Sequence, residues 1–350
     1  MTIVLLFDFS LSNFFVQKNN HCYNYSEYFY ELKKNCSSNE RFKKSFPTTK
    51  IFTDDKGLRV GKNNIKKDKN KKNILIFGDS FTFGVGLEYE ETYAGIIKKK
   101  FKNYNVYNYG VGSYSPTVYL YRLKNVINEN IRPDKVLIFL DLTDVIDEAG
   151  RWYFDEDKEK PKLRTNFIYK NSSKENKDFI KNNFKLSTNI ISHLNYNLRN
   201  LRSYLKQLFF KKNKIKTSIQ GSFTYLPKNQ LDNRFWEKSF FDIGIKKIKD
   251  NFKEFENVAK KHDFDIYLVV YPWAETLEFG QDYFNWSEFA KQLCNYNNCH
   301  LIDAIPNFLE YKNKNSHWNS DLYFVNDEHF NAGGAKLLST IVIEYIESEK

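Results

Sequence analysis

The chain has 350 residues, 41% of them apolar and 17% aromatic, enough to bury a sizeable core in one large domain or two ordinary ones. Its net charge of +11 comes from lysines mixed with asparagines, as in "GKNNIKKDKNKKN" (61–73) and "KKNKIK" (211–216), a bias of composition more than a binding stripe. No zinc-finger spacing, RNA-recognition motif or helix-turn-helix pattern accompanies that charge, so a nucleic-acid partner is not expected.

In chain order, the opening "MTIVLLFDFSLSNFFV" is apolar but interrupted by Asp8. It lacks a basic leader and a small-residue cleavage site, and is too short to span a bilayer as written. Two readings stand: the tail of a membrane anchor, or a core-packing segment. "NILIFG" (73–78) predicts a buried strand, Thr92 to Phe101 a helix, and "YNVYNYG" (104–110) a second strand. A helix from about Val118 to Asn128 follows, then "DKVLIFLD" (134–141) as a third strand after the Arg132-Pro133 break. Downstream come a helix near 245–262, a strand "DIYLVVYP" (265–272), a short strand "HLIDA" (300–304) and a final helix from about Gly334 to Glu347. Continuous apolar strands separated by helices predict a parallel sheet covered on both faces, a three-layer α/β/α sandwich.

From about 150 to 240 this rhythm stops. The segment reads as a basic insertion beside the sheet, with an amphipathic helical pattern at 191–210 whose basic face would either meet solvent or touch a membrane surface. Residues 1–70 form an N-terminal segment and lead-in, and 71–350 the sheet domain. Four cysteines lie as Cys22 with Cys36 and Cys294 with Cys299; neither spacing makes a zinc set with nearby histidines. Two local disulfides would suit an oxidising compartment, and four buried thiols are the other reading.

Ligands of such sheets sit outside the carboxyl ends of the strands. The loops leaving those ends are Gly78-Asp79-Ser80, "NYGVGSYSP" (108–116), "DLTDVIDE" (141–148) and "NDEHFNAGG" (326–334). They hold a serine, small residues with free amides, a threonine and an Asp-x-His pair, the inventory of serine-based acyl transfer, with no metal or cofactor called for. Taken alone, Ser80 reads more readily as a helix cap than as a nucleophile. His317, in "NSHWNS", is the rival base, but Asn315 stands where its orienting carboxylate should be. Asp144, Asp147 and Glu148 read as helix-start carboxylates, and Trp273 as pocket wall or core.

"FGDSFTFG" resembles the first block of the SGNH/GDSL hydrolases and "NDEHFNAGG" their last. The resemblance runs from "DDKGLRVG" (54–61) to about residue 345, without the insertion, and its Asp-x-His spacing is similar to an envelope branch that includes esterases and relatives of polysaccharide O-acetyltransferases. It implies a flavodoxin-like fold, Ser80 as nucleophile, His329 as base and Asp327 as the carboxylate that orients it. The oxyanion donors it implies are the Ser80 amide, the amide at Ser113 with Gly110 and Gly112 adjacent in register, and the side chain at Thr143. The chain departs from the family at two of these, with Ser113 for a glycine and Thr143 for an asparagine; Asn108 is a substitute donor for the latter. The activity implied is hydrolysis of an acyl ester, with O-acylation of an envelope glycan or a non-catalytic binding protein as alternatives. The compartment implied is the periplasm or cell envelope, with the cytoplasm left open.

Overall fold

Ile74, Leu75, Ile76 and Phe77 are fully buried, and this unbroken apolar run makes Lys72–Phe77 (β1) a strand that must be covered on both faces. The computed structural model describes residues 21–25, 29–43, 45–63, 67–154, 160–163, 215, 217–227 and 238–349, all within one compact unit. The apolar opening, the helical pattern at 191–210 and nearly all of the tract at 211–216 lie outside the described residues.

Tyr104–Asn108 (β2), Lys135–Leu140 (β3), Asp265–Val270 (β4) and Cys299–Asp303 (β5) join β1 in a five-stranded sheet, all parallel, in the order β5-β4-β3-β1-β2. Register sets Ile74 against Val106, Leu75 against Val136, and Val269 against both Phe139 and Ile302. The chain moves one way from β1 to β2 and the other way from β3 to β5. The carboxyl ends of β1 and β3 therefore flank the switch point where a doubly wound sheet opens a crevice.

Helices Ser80–Phe83 (α1), Tyr93–Lys100 (α2), Pro116–Asn128 (α3), Leu142–Ile146 (α4), Lys238–His262 (α5), Trp286–Leu293 (α6) and Ala332–Ser348 (α7) fill the connections. α2 packs on α7, whereas α3, α4 and α6 pack on α5, giving the three-layer α/β/α sandwich that the apolar runs predict. Each strand and helix predicted outside the insertion is present, with ends shifted by a few residues; α5 begins seven residues before the predicted 245.

The segment at 21–63 contains more structure than a lead-in implies. It holds a hairpin of Tyr23–Tyr25 with Tyr30–Leu32 and a three-stranded antiparallel sheet of Ser37–Glu40, Thr49–Thr53 and Arg59–Val60. Cys22–Cys36 and Cys294–Cys299 are both disulfides. "DDKGLRVG" has a structural task. The Asp54 carboxylate accepts from Lys56 N at 3.0 Å and Leu58 N at 2.9 Å, and the turn delivers Arg59 into the core. Its guanidinium donates to the carbonyls of Phe83, Gly84 and Leu87, closing the carboxyl end of α1, where orphan carbonyls need partners. Among the described residues no helix is long and apolar enough to cross a membrane.

Candidate active site

β1 ends at Phe77, and Gly78 lets the chain turn back over it. A Cβ at Gly78 would lie 1.8 Å from Thr82 Oγ1, so only glycine fits that approach. Asp79 caps α1: its Oδ1 accepts from Phe81 N at 2.8 Å. Capping is thus taken by Asp79, which leaves the Ser80 hydroxyl for His329, whose Nε2 is 2.8 Å away. Gly84, with φ of +80°, ends this one-turn helix in the left-handed conformation that favours glycine.

His329 and Asp327 stand on the loop before α7. Asn331 fixes that loop from both sides. Its Oδ1 accepts from the amides of Gly333 and Gly334, and its Nδ2 donates to the carbonyls of Ser320 and Tyr323. Asp327 Oδ1 accepts from His329 Nδ1 at 2.6 Å and from His329 N at 3.1 Å, so a spacing of two residues suffices for the carboxylate to curl back onto the ring. The imidazole stacks on Phe81 with centroids 4.6 Å apart and meets the edge of Phe42 at 5.3 Å. Asp327 Oδ2 accepts from Lys43 Nζ. Burial works to raise the Asp327 pKa, but the His329 hydrogen bond and charge and the Lys43 ammonium outweigh it and hold the carboxyl at about 2.

The turn after β2 faces Ser80: a Cβ on Gly112 would be 3.8 Å from Ser80 Cβ. Ser113 adopts φ of +59°, the left-handed conformation that usually belongs to glycine. Tyr30 Oη donates to Gly112 O at 2.7 Å and Trp152 Nε1 to Ser113 O at 2.7 Å. In a planar trans peptide the N–H opposes the C=O, so holding the Gly112 carbonyl on Tyr30 turns the Ser113 N–H the other way. Gly110 N donates to Asn108 Oδ1, and Asn108 Nδ2 donates to Thr82 O, so that side chain ties the turn to α1.

Beyond β3 lies a group of buried acids. Asp141 caps α4 and Asp144 Oδ2 accepts from Asp141 N at 2.8 Å, a reciprocal capping box that matches the helix-start reading of Asp144. Asp147 and Glu148 serve differently, in a π-helical turn over Asp147–Arg151. Asp147 pairs with Arg151 Nε at 2.7 Å, and Glu148 accepts from Ser115 Oγ, Thr117 N and Thr117 Oγ1. Thr143 Oγ1 is 2.5 Å from Asp141 Oδ1 and 3.3 Å from Asp79 Oδ2. Trp273 is buried, with its indole N–H donating to Asp141 Oδ2 at 3.2 Å and its ring stacked on Phe81 at 6.4 Å. Burial pushes Asp141 and Asp144 well above the usual carboxylate range, Asp79 and Glu148 upward, and Asp147 to about 6.

Ser80, His329 and Asp327 are brought into one hydrogen-bonded line, with Gly112 beside Ser80. His317 contacts Ser316 on an exposed loop, and His300 pairs with Glu349 at 2.6 Å. Lys43, Tyr30, Phe42 and Trp152 are contributed by segments without helical or strand periodicity; "RFKKSF" (41–46) shows no pattern that could have marked Lys43.

No family model matches the chain, and no curated protein matches it. Solved structures do resemble it. A lipolytic protein of the G-D-S-L family from Veillonella parvula is 13% identical over 78% of this chain and 97% of its own, with a TM-score of 0.42. A psychrotrophic esterase from Pseudoalteromonas sp., solved with monoethylphosphonate as inhibitor, is 15% identical over 79% and 98%, with a TM-score of 0.42. An acetyl xylan esterase from Geobacillus stearothermophilus is 14% identical over 81% and 97%, again at 0.42.

Proposed function

We propose that the protein is a serine-dependent acyl-ester hydrolase that works through an acyl-enzyme on Ser80. The observation that carries this reading is the pair of contacts at 2.8 Å from Ser80 Oγ to His329 Nε2 and at 2.6 Å from His329 Nδ1 to Asp327. Ser80 Oγ attacks the ester carbonyl and its proton passes to Nε2. Asp327 holds the imidazole in the tautomer with Nδ1–H and stabilises the imidazolium. The Ser80 and Ser113 amides donate to the developing oxyanion. Nε2 then returns its proton to the departing alcohol, and water, activated by the same nitrogen, releases the acid and regenerates Ser80.

With a glycan hydroxyl in place of that water, the same residues carry out O-acyl transfer. The alternative of a binding protein without turnover has one observation in its favour: Thr143, which stands where the resembled family has its side-chain donor, is bound to Asp141 and Asp79. The two disulfides favour an oxidising compartment such as the periplasm or cell envelope, with the chain anchored or soluble there. A fluorophosphonate probe tests the reading. Labelling of Ser80 between about pH 6 and 9, where histidine is a competent base, supports an enzyme; folded protein unlabelled throughout supports the binding protein. An ester panel with and without glycan acceptors separates hydrolysis from transfer.

A further inference from the structure

Ser80 Oγ lies between two acceptors, His329 Nε2 at 2.8 Å and Asp79 Oδ2 at 3.1 Å, and its single proton can serve only one of them. The conflict recurs one residue further on, where the Thr143 hydroxyl lies between Asp79 Oδ2 at 3.3 Å and Asp141 Oδ1 at 2.5 Å. Continued to the end, the series runs Asp141, Thr143, Asp79, Ser80, His329, Asp327, with every successive contact between 2.5 and 3.3 Å.

Each of these five contacts needs a proton between its two heavy atoms. With every carboxyl ionised and the imidazole neutral, as a base must be, only the Thr143 hydroxyl, the Ser80 hydroxyl and the His329 Nδ1–H supply one. The two remaining contacts are then acceptor against acceptor, in a buried site where unmade hydrogen bonds are costly. One proton on Asp141 Oδ1 and one on Asp79 Oδ2 complete the set, and only with all donors pointing the same way. The other lone pairs agree: Asp79 Oδ1 accepts from Phe81 N, Asp141 Oδ1 also accepts from Thr143 N, and Asp141 Oδ2 accepts from Trp273 Nε1.

We propose that Asp141, Thr143 and Asp79 form a second arm on Ser80, which carries two carboxyl protons and donates in single file toward His329. Asp79 and Asp141 are thereby positioning residues: Asp79 donates to Ser80 Oγ and leaves the serine proton no acceptor but His329 Nε2. Loss of the Asp79 proton turns the hydroxyl toward that carboxylate and away from the base.

The surroundings favour protons on this arm. Asp79 and Asp141 are buried and face one another, Asp144 and Asp147 on the segment after β3, Tyr119 on α3, Tyr93 on α2 and Tyr271 after β4, all of them acids. Burial raises both carboxyls, with Asp79 adding to the effect on Asp141; among the described residues the facing base is His329, which draws Asp79 back down.

Asp79→Asn tests the arm, because Oδ1 remains an acceptor for Phe81 N while Nδ2 gives Ser80 a donor that cannot titrate. The first measurement needs no activity. A carboxyl that keeps its proton in the folded protein stabilises it fully below its unfolded pKa of about 3.9 and loses that contribution as pH rises. The Tm of Asp79→Asn should therefore gain on that of the wild type from about pH 4 to pH 8. A wild type that gains on the variant over this range, or a gap that does not change, overturns the proposal. Should the variant not fold, 13C spectra of aspartate-labelled wild type, with the Asp79 and Asp141 signals assigned, read the same protons: both carboxyls protonated at neutral pH support the arm, and either of them ionised overturns it.

The consequence for Ser80 rests on the hydrolase reading. Fluorophosphonate labelling of the wild type should fall about tenfold per pH unit once the arm loses its proton, while Asp79→Asn shows no such fall. A variant labelled a hundredfold more slowly at every pH overturns the proposal. If Ser80 is unlabelled in both proteins while the Tm pattern holds, the arm stands and the hydrolase reading fails.

Discussion

Lys43 donates to Asp327 Oδ2, the carboxylate oxygen that His329 does not use, across 284 residues of sequence. It brings a cation from the small antiparallel lobe to the base of the candidate triad. Asp327 is thereby neutralised on one oxygen and hydrogen-bonded to the imidazole on the other.

Lys43→Ala should therefore change the acid stability of the protein. Asp327 sits near 2 in the folded state, below an unfolded value of about 3.9, so its contribution is present above that value and lost as pH falls toward 2. Removing Lys43 takes away part of the lowering. We expect a loss of about 1 kcal/mol near pH 7, modest because the Lys43 side chain is 39% exposed, that fades only as pH falls through about 2. Urea unfolding of both proteins across that range checks it.

Replacing each histidine separates the two candidate bases. His329→Ala should lower p-nitrophenyl acetate turnover by roughly a thousandfold or more, as loss of a triad member does. His317→Ala, on an exposed loop with only Ser316 and main-chain contacts described, should leave it unchanged. The opposite pattern of rates would exclude His329 as the base.

Thr143→Val deletes the hydroxyl between Asp141 and Asp79 and leaves two buried carboxyls each short of a partner. A stability loss of about 1–3 kcal/mol should result, together with about a tenfold fall in Ser80 labelling from loss of one neutral hydrogen bond. Thr143→Ser keeps the hydroxyl and should restore both. Equal behaviour of the two variants would show that the hydroxyl does not carry the effect at this position.

Arg59→Met should be among the most damaging single changes outside the candidate triad. It leaves the carbonyls of Phe83, Gly84 and Leu87 without their donor in a buried place, at a cost of about 3 kcal/mol or more. Because those carbonyls close the turn that carries Ser80, labelling should fall even at temperatures where the variant is folded. Unchanged labelling in folded protein would uncouple the two.

Much of the fold could be read directly from the chain. Four consecutive buried apolar residues in β1, and the similar runs in β3 and β4, demand cover on both faces, and that demand is local and additive along a strand. The Asp327-to-His329 contact was equally legible, since two residues of separation confine the carboxylate to the neighbourhood of the ring. Which oxygen does what was not. Asp79 rather than Ser80 caps α1, a choice between adjacent side chains that turns on where His329 arrives from 249 residues away. Thr143 could be placed at the end of β3 by its spacing, but its hydroxyl direction is set by Asp79 on the neighbouring strand end and by Asp141 beside it. Tyr30, Lys43 and Trp152 lie in stretches too short to show a period, and each reaches an atom far along the chain. Periodicity records which face of an element is buried, and spacing records contacts within a turn. Partners that meet only when the sheet closes leave neither mark, so the tertiary structure alone decided how Ser80 is flanked.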